Sequence, residues 1–283
     1  MKFLPSLDLI KKAESGGYAV PSFCVWNAEI MQTVLDAADE MMAPVILMNG
    51  PGEFDLLSPN KMGATAHAIA EKYSVPAALH LDHGDSINRV NDCLEAGYTS
   101  VMLDYSSKPF VENVEAMKIV IELSRIRGVT VEGELGAIGM VDDISIEGTK
   151  ASALTDPRDA GLFVNETRVD MLAVSIGNAH GIYSKLPNLD FNLLEEIHSS
   201  AGVPLVLHGG SGTPPDDLER AISLGIAKIN IASELVQANR DSLLNDWNSG
   251  ENMWIPSALT KAMKKVSEVV KKWIRITGAA GKG

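Results

Sequence analysis

The chain has 283 residues, of which 46% are hydrophobic, and its 24 basic and 37 acidic residues give a formal net charge of −13. This charge argues against nucleic acid or an anionic membrane surface as the main partner, and no apolar run approaches the length of a membrane span. Two cysteines, Cys24 and Cys93, cannot form a disulfide framework, so we expect a reducing, cytoplasmic location.

Strand patterns and helical patterns alternate along the whole chain. Short apolar runs predict strands, and apolar residues at helical spacing between them predict helices. The predicted strands are 18–25, 43–48, 75–79 with the polar residues that follow, 100–103, 129–134, 171–176, 205–207 and 227–231. The predicted helices are 6–13, 28–42, 59–73, 90–96, 111–127, 156–165, 191–200, 214–224 and most of 233–276.

This alternation has no linker and no change of composition, so it predicts one α/β domain over residues 1–283. Eight strands alternating with helices are typical of a (β/α)8 TIM barrel, and the last residues predict extra C-terminal helices. The carboxyl ends of all strands in such a barrel meet on one face, where ligands bind. Polar residues directly after the strands are therefore the candidates for a functional site.

The polar cluster His80-Leu81-Asp82-His83-Gly84 follows the third predicted strand. In an extended strand Asp82 and His83 face opposite ways, so they serve one site only if the chain leaves β geometry there. Gly84 makes that departure easy. These residues form either a metal and acid/base site or a set of partnered polar groups at the start of a loop.

Three of the six histidines, His83, His180 and His208, come just after strands three, six and seven, and each is followed by glycine. Three neutral imidazoles with an open fourth position are typical of catalytic zinc, so we predict that these three bind a metal. The other histidines have weaker signals. His67 and His198 lie within predicted helices, and His80 on the strand is interpreted as buried support.

A glycine-rich segment, His208-Gly209-Gly210-Ser211-Gly212, follows the seventh strand. Its successive backbone N–H groups, with the N-terminus of the next helix, can bind a phosphate. Many barrels bind phosphate after strands seven and eight, and Asn230-Ile231-Ala232-Ser233 completes that position here. We therefore predict a phosphate site between these two strand ends.

The polar stretch 139–154 is too long for an ordinary connection between a strand and a helix. It is either a surface excursion or a mobile loop over the site. We favour the mobile loop because loops of this length in compact domains are often functional.

Taken together, these motifs resemble those of the class II, zinc-dependent ketose-bisphosphate aldolases. The similarity runs through nearly the whole chain, and the Ala-Ser-Glu sequence at 232–234 and the chain length are closer to the tagatose-bisphosphate branch than to the fructose-bisphosphate enzymes. The matching motifs are Leu-Asp-His-Gly at 81–84, Glu-Leu-Gly at 134–136, Gly-Asn-Ala-His-Gly-Ile-Tyr at 177–183, Leu-His-Gly-Gly-Ser-Gly at 207–212 and Lys-Ile-Asn-Ile-Ala-Ser-Glu at 228–234.

The resemblance implies reversible aldol cleavage of a ketose 1-phosphate or 1,6-bisphosphate to dihydroxyacetone phosphate and an aldehyde. It implies Zn2+ on the three histidines, with Asp104 and Glu134 as second-metal positions, and a monovalent cation, Na+ or K+, near the phosphate. It also implies a homodimer or homotetramer, in the tagatose branch sometimes with an accessory subunit. The implied catalytic residues are Asp82, which acts on the C4 oxygen, Asp142, which moves the C3 proton, and Asn230, which steadies the enediolate. The implied substrate-binding residues are Asn27, Gly181, Gly209, Gly210, Ser211, Asn230, Ile231, Ala232 and Ser233.

Four departures from the family pattern, at five positions, leave the identity of the aldehyde half open. Asp142 aligns with the glutamate of the mobile loop and is one methylene shorter. Cys24 replaces a usual asparagine, and Gly50 a usual serine or threonine. Lys264 and Lys265 lie where an arginine for a distal phosphate is expected, and lysine lacks the fork geometry of arginine. We therefore expect an aldehyde other than glyceraldehyde 3-phosphate to be preferred.

Two other functions compete with this one. Lys228 on the eighth strand makes a Schiff-base aldolase the alternative enzyme, which chelator and borohydride treatments distinguish from a metal enzyme. The other alternative is a catalytically silent barrel that binds sugar phosphates. An aldolase assay beside a metal analysis tests that alternative.

Overall fold

The computed structural model describes residues 2–139, 154–181, 186–250 and 254–283. Eight parallel strands close into a barrel in chain order, and β8 pairs with β1, which confirms the predicted (β/α)8 fold. The strands are β1 (Val20–Cys24), β2 (Val45–Asn49), β3 (Ala77–Gly84), β4 (Ser100–Leu103), β5 (Thr130–Leu135), β6 (Met171–Val174), β7 (Leu205–Leu207) and β8 (Ile226–Ile231).

Helices follow the strands and form the outer layer of the barrel. The final helical region is divided into two long helices, α10 and α11, which are the predicted extra C-terminal helices. The helices are α1 (Ser6–Gly16), α2 (Ala28–Glu40), α3 (Pro51–Phe54), α4 (Pro59–Ala70), α5 (Ile87–Glu95), α6 (Phe110–Arg125), α7 (Pro157–Thr167), α8 (Phe191–Ala201), α9 (Pro215–Ser223), α10 (Ser233–Ser249) and α11 (Ile255–Ile276). Among the described residues, no helix is both long and apolar enough to cross a membrane.

Local capping explains where several helices begin. Asn27 and Ser86 accept N–H groups from the first turns of α2 and α5, as N-cap side chains do. Ser58 occupies the N-cap position of α4 but makes no side-chain bond to that helix. Helix α3 was not predicted from the sequence. Its start is fixed by Pro51 and by the Glu53 carboxylate, which accepts the Gly50 N–H at 2.8 Å.

The strands are buried on both faces because helices cover the outside and side chains fill the inside of the barrel. Most of this core is apolar, but His80, Glu132 and Lys228 are also completely buried. Such groups are stable in a core only when they are paired and hydrogen-bonded. Their partners therefore matter for the site above them.

The buried polar groups form a continuous chain, here called the interior column. Its members are Ser6, Ser100, His80, Lys228, Glu132 and His208. Ser6 Oγ bonds Ser100 Oγ at 2.8 Å, and Ser100 Oγ bonds His80 Nδ1 at 2.8 Å. Lys228 Nζ lies 3.4 Å from His80 Nε2 and donates to Glu132 Oε2 at 2.7 Å. Glu132 Oε1 lies 2.8 Å from His208 Nε2. The column thus connects α1 to the third predicted metal ligand.

Candidate active site

His83 leaves extended geometry at the end of β3. Its φ is +45°, in the left-handed region, which costs a non-glycine residue about 1–2 kcal/mol. The pairing of β3 with β4 shifts register between Leu81 and Gly84, so that Asp82 and His83 can serve one site. We expected Gly84 to ease this departure from β geometry, and the left-handed φ lies on His83 itself. Gly84 pairs with Leu103 instead, and a Cβ on it would lie 2.4 Å from the Met102 carbonyl oxygen.

The structure brings three histidine rings from distant strand ends to one point. His83 Nε2 lies 3.2 Å from His180 Nε2 and 3.0 Å from His208 Nδ1. With zinc–nitrogen bonds of 2.0–2.1 Å, two ligands of a tetrahedral site lie about 3.3 Å apart. These nitrogens therefore have nearly the separation that a shared zinc ion requires.

The other sides of the three rings are held by acceptors. His83 Nδ1 lies 2.8 Å from Asp104 Oδ2, His208 Nε2 bonds Glu132 in the interior column, and His180 bonds the backbone of Ile138. Metal-binding histidines are usually oriented in this way, because an acceptor fixes the tautomer and the plane of each ring. The donor set therefore fits a metal ion.

The charges around the rings also favour a cation. Burial lowers the pKa of His180 to about 4 and that of His208 well below its usual value, which keeps both rings in the neutral form that binds metal. Burial also acts to lower the pKa of His83, but Asp82, Asp104 and Glu134 raise it to about 10. The same carboxylates that hold a proton on His83 attract a metal ion that displaces it.

Glu134 supplies a further test of the fit. Its Oε2 is buried and has no hydrogen-bond partner among the described residues, and it lies 3.8 Å from His83 Nδ1 and 3.7 Å from His208 Nδ1. Burial, followed by the charge of Asp104, raises its pKa to about 8. His83, Asp104 and Glu134 also form a second group whose ligand atoms lie within 4.8 Å of one another. The unpartnered oxygen thus lies where a cation could satisfy it.

Asp82 lies beside these groups and belongs to neither of them. Its Oδ1 accepts the Asn230 side-chain N–H at 2.9 Å, and its Oδ2 is 4.0 Å from His83 Nε2. Burial raises the pKa of Asp82, but His83 and other positive neighbours lower it more, so the net shift is downward. Its side chain is 16% exposed. An ionised and accessible carboxylate at this place can accept a proton from a bound ligand.

The predicted phosphate segment forms a tight loop between β7 and α9. A Cβ on Gly209 would lie 2.0 Å from the Ala179 carbonyl oxygen, and φ there is +65°. Gly210 N–H donates to the Asn230 carbonyl and Gly212 N–H to Glu234, so not all successive N–H groups point to a ligand as the sequence suggested. Within the described residues, the N–H groups of Ser211, Ala232 and Ser233 make no hydrogen bond. The N–H groups that can meet a phosphate are therefore those of Ser211 in this loop and of Ala232 and Ser233 at the N-terminus of α10.

Of the other predicted site residues, Asn27 and Gly181 are described by the structure and Asp142 is not. Asn27 uses its Oδ1 to cap α2, at 2.9 Å from Ile30 N, which leaves its amide N–H groups for a ligand. Gly181 has a φ of +118°, directly after His180. Asp142 and nearly all of the stretch 139–154 lie outside the described residues.

Lys264 and Lys265 lie on α11, away from the histidines. Both line a groove between α10 and α11, and Lys265 Nζ donates to Glu268 at 3.0 Å. Among the contacts of the described residues, neither lysine reaches the histidines or Asp82. A role of these lysines for a distal phosphate therefore stays a prediction.

The sequence analysis did not single out Glu132 or Glu53. Glu132 and Glu134 alternate in β5, and two glutamates at i and i+2 in an apolar strand are a signal that both face the barrel interior. Glu53 lies three residues after Gly50, at the spacing of a capping residue. This spacing predicts a helix cap, but it does not indicate that the backbone of Asp82 also lies against Gly50.

Gly50 lies against the backbone of the catalytic candidate. A Cβ at this position would be 2.5 Å from the Asp82 carbonyl oxygen, so Gly50→Ala must displace one of the two backbones. We expect a loss of about 1–3 kcal/mol in the free energy of unfolding and a lower activity. Denaturant unfolding and an aldolase assay measure both effects. Gly52→Ala is the matched control, since its Cβ meets no atom within 4 Å, and equal stability of the two variants would contradict the prediction.

Comparisons with known proteins cover almost the entire chain. The family described as fructose-bisphosphate aldolase class-II matches residues 5–282. The YdjI aldolase of Escherichia coli K12 has a similar structure, with 34% identity, a TM-score of 0.88 and 99% of each chain covered. A Coccidioides immitis protein to which fructose-1,6-bisphosphate aldolase activity is attributed has 26% identity and a TM-score of 0.87, with 98% of this chain and 97% of that one covered. The fructose-bisphosphate aldolase of Campylobacter jejuni, at 21% identity, shares the fold with a TM-score of 0.82, over 100% of this chain and 97% of the other.

Proposed function

Because the chain belongs to the class II fructose-bisphosphate aldolase family, we propose that it uses zinc to cleave a ketose 1-phosphate or 1,6-bisphosphate reversibly. The products are dihydroxyacetone phosphate and an aldehyde, with a substrate of the tagatose or fructose type. The observation that carries this proposal is the convergence of three imidazole nitrogens beside the ionised carboxylate of Asp82.

The proposed chemistry divides between the metal and the protein. Zinc held by His83, His180 and His208 supplies a Lewis acid that stabilises the carbanion next to the substrate carbonyl. Asp82 accepts the proton of the C4 hydroxyl during cleavage and returns it during condensation. Asn230 donates to Asp82 Oδ1 and so orients the carboxylate.

The phosphate of the dihydroxyacetone phosphate half is proposed to bind between β7 and β8. The segment after β7 and the N-terminus of α10 provide N–H groups and the positive end of a helix dipole there. The residues proposed to line this site are Gly181, Gly209, Gly210, Ser211 and 230–233, with the N–H groups of Ser211, Ala232 and Ser233 as the donors.

Further parts of the proposal come from the family resemblance. We infer that Asp142 moves the C3 proton, that a monovalent cation lies near the phosphate, and that Asp104 and Glu134 can hold a second metal. A homo-oligomer in the cytoplasm completes the proposal.

The geometry of Lys228 does not favour the Schiff-base alternative. Its side chain is fully buried and donates to the Glu132 carboxylate at 2.7 Å. A Schiff-base lysine must be reached by the substrate carbonyl, whereas this amine is enclosed in the barrel interior and bonded to a carboxylate. Lys228 is therefore better explained as a member of the interior column.

A paired treatment tests the proposed function. We expect a chelator to abolish aldol cleavage and added zinc to restore it, because the reaction depends on the metal. Borohydride in the presence of dihydroxyacetone phosphate should leave activity unchanged. A sample incubated without chelator and without borohydride serves as the control. Inactivation by borohydride with a mass increase on Lys228 would support the Schiff base, and zinc binding without any cleavage would support a silent binding barrel.

A further inference from the structure

The aldehyde half of the substrate has a defined place relative to the other parts of the site. The proposed phosphate site is formed by the segments at the ends of β7 and β8. The three histidines come from the ends of β3, β6 and β7. If Asp82 serves the C4 oxygen, the rest of the aldehyde extends from Asp82. The ends of β1 and β2, next to β3, border this space.

Glu53 lies next to the ends of β1 and β2, and two hydrogen-bond donors hold its carboxylate in place. Its Oε2 accepts the Gly50 N–H at 2.8 Å, and its Oε1 accepts the Cys24 thiol at 3.5 Å. The point where a Cβ of Gly50 would lie is 3.8 Å from Glu53 Oε2 and 2.5 Å from the Asp82 carbonyl oxygen. The Glu53 carboxylate and the Asp82 backbone therefore both lie against Gly50.

The charge of this border is negative. Burial raises the pKa of the Cys24 thiol, and the carboxylates of Glu53 and Asp82 raise it further, so Cys24 stays a neutral donor. Within the described part of the chain, no lysine or arginine forms an ion pair with Glu53. An aldehyde phosphate here would be repelled by the carboxylates of Glu53 and Asp82, and within the described residues no ion pair neutralises Glu53.

The same carboxylate can bind hydroxyl groups. An ionised carboxylate has about four acceptor positions, of which the Gly50 and Cys24 donors occupy two. Hydroxyl groups of a sugar chain donate to such positions through charge-assisted hydrogen bonds. The local chemistry therefore matches a neutral polyol end better than a phosphate end.

We propose that Glu53 is a specificity-determining residue that selects neutral polyhydroxylated aldehydes over phosphorylated ones. The proposal rests on the aldolase function proposed above. Cys24 and Gly50 act as positioning groups for the Glu53 carboxylate. Cys24 and Gly50, two of the departures from the family pattern, thus share one structural role, which is to donate hydrogen bonds to Glu53.

The test compares two aldehydes in condensation with dihydroxyacetone phosphate. The ratio of kcat/KM for glyceraldehyde to that for glyceraldehyde 3-phosphate is measured for the zinc-loaded wild type and for Glu53→Gln. Glutamine can still accept the Gly50 N–H, so the variant removes the charge and keeps the cap. We expect the ratio to fall about tenfold. Asp55→Asn removes the same charge from an exposed position two residues away and should leave the ratio unchanged.

Exchange of the dihydroxyacetone phosphate C3 proton with solvent is measured as well, because it distinguishes failure of the Glu53 proposal from failure of the proposed aldolase function. Absence of exchange and condensation in the wild type would overturn the aldolase function itself. Normal exchange in Glu53→Gln with an unchanged ratio would overturn the role of Glu53 alone. An equal fall of the ratio in Asp55→Asn would show that the effect is not local to Glu53.

Discussion

Replacing His180 with alanine is expected to remove the metal and to abolish measurable aldolase activity. The wild-type protein should hold about one zinc per chain, as a three-histidine catalytic site does. His180 Nε2 lies 3.2 Å from His83 Nε2, and without that ring the remaining nitrogens cannot complete a tetrahedral set. Elemental analysis of the purified variant and a cleavage assay measure the two losses.

His198→Ala is the matched control for this experiment. His198 lies on α8 with a 40% exposed side chain, and its ring nitrogen is 3.8 Å from Glu14 on the outside of the barrel. We expect this variant to keep both zinc and activity. Full metal content and full activity in His180→Ala would show that the metal site is elsewhere.

Replacing Asp82 with asparagine is expected to lower turnover by about 10² or more while zinc stays bound. Asparagine keeps nearly the same shape and can accept the Asn230 N–H, but it cannot take the proton of the C4 hydroxyl. The size follows from the usual contribution of a general acid or base. Metal analysis and steady-state kinetics on the same sample separate catalysis from metal binding.

Asp85→Asn provides the control for Asp82→Asn. Asp85 follows the same strand, its side chain is 51% exposed, and it lies 3.5 Å from Arg89 rather than near the histidines. Its variant should keep wild-type turnover. Loss of zinc from Asp82→Asn would place Asp82 among the metal ligands and contradict the role proposed for it.

The barrel and the shared face of the three histidines could be predicted from local sequence patterns. The spacing of apolar residues is a local property, and eight strand patterns separated by helical ones leave few folds other than a closed parallel barrel. Closure of the barrel brings the strand ends together. His83, His180 and His208, which are far apart in the chain, could therefore be placed on one face before the structure was known.

The contacts between groups on that face depend on how the strands pack and could not be predicted from local patterns. The left-handed φ of His83 depends on the register between β3 and β4, and no local pattern indicates it. The Glu132 contacts to Lys228 and His208 join three strands across the barrel interior, so they depend on how the strands are staggered. In the same way, the spacing of Glu53 from Gly50 predicts a helix cap. That the Asp82 backbone also lies against Gly50 follows from the pairing of β2 with β3. Partners that are distant in sequence are set by packing and register, which a local pattern does not encode.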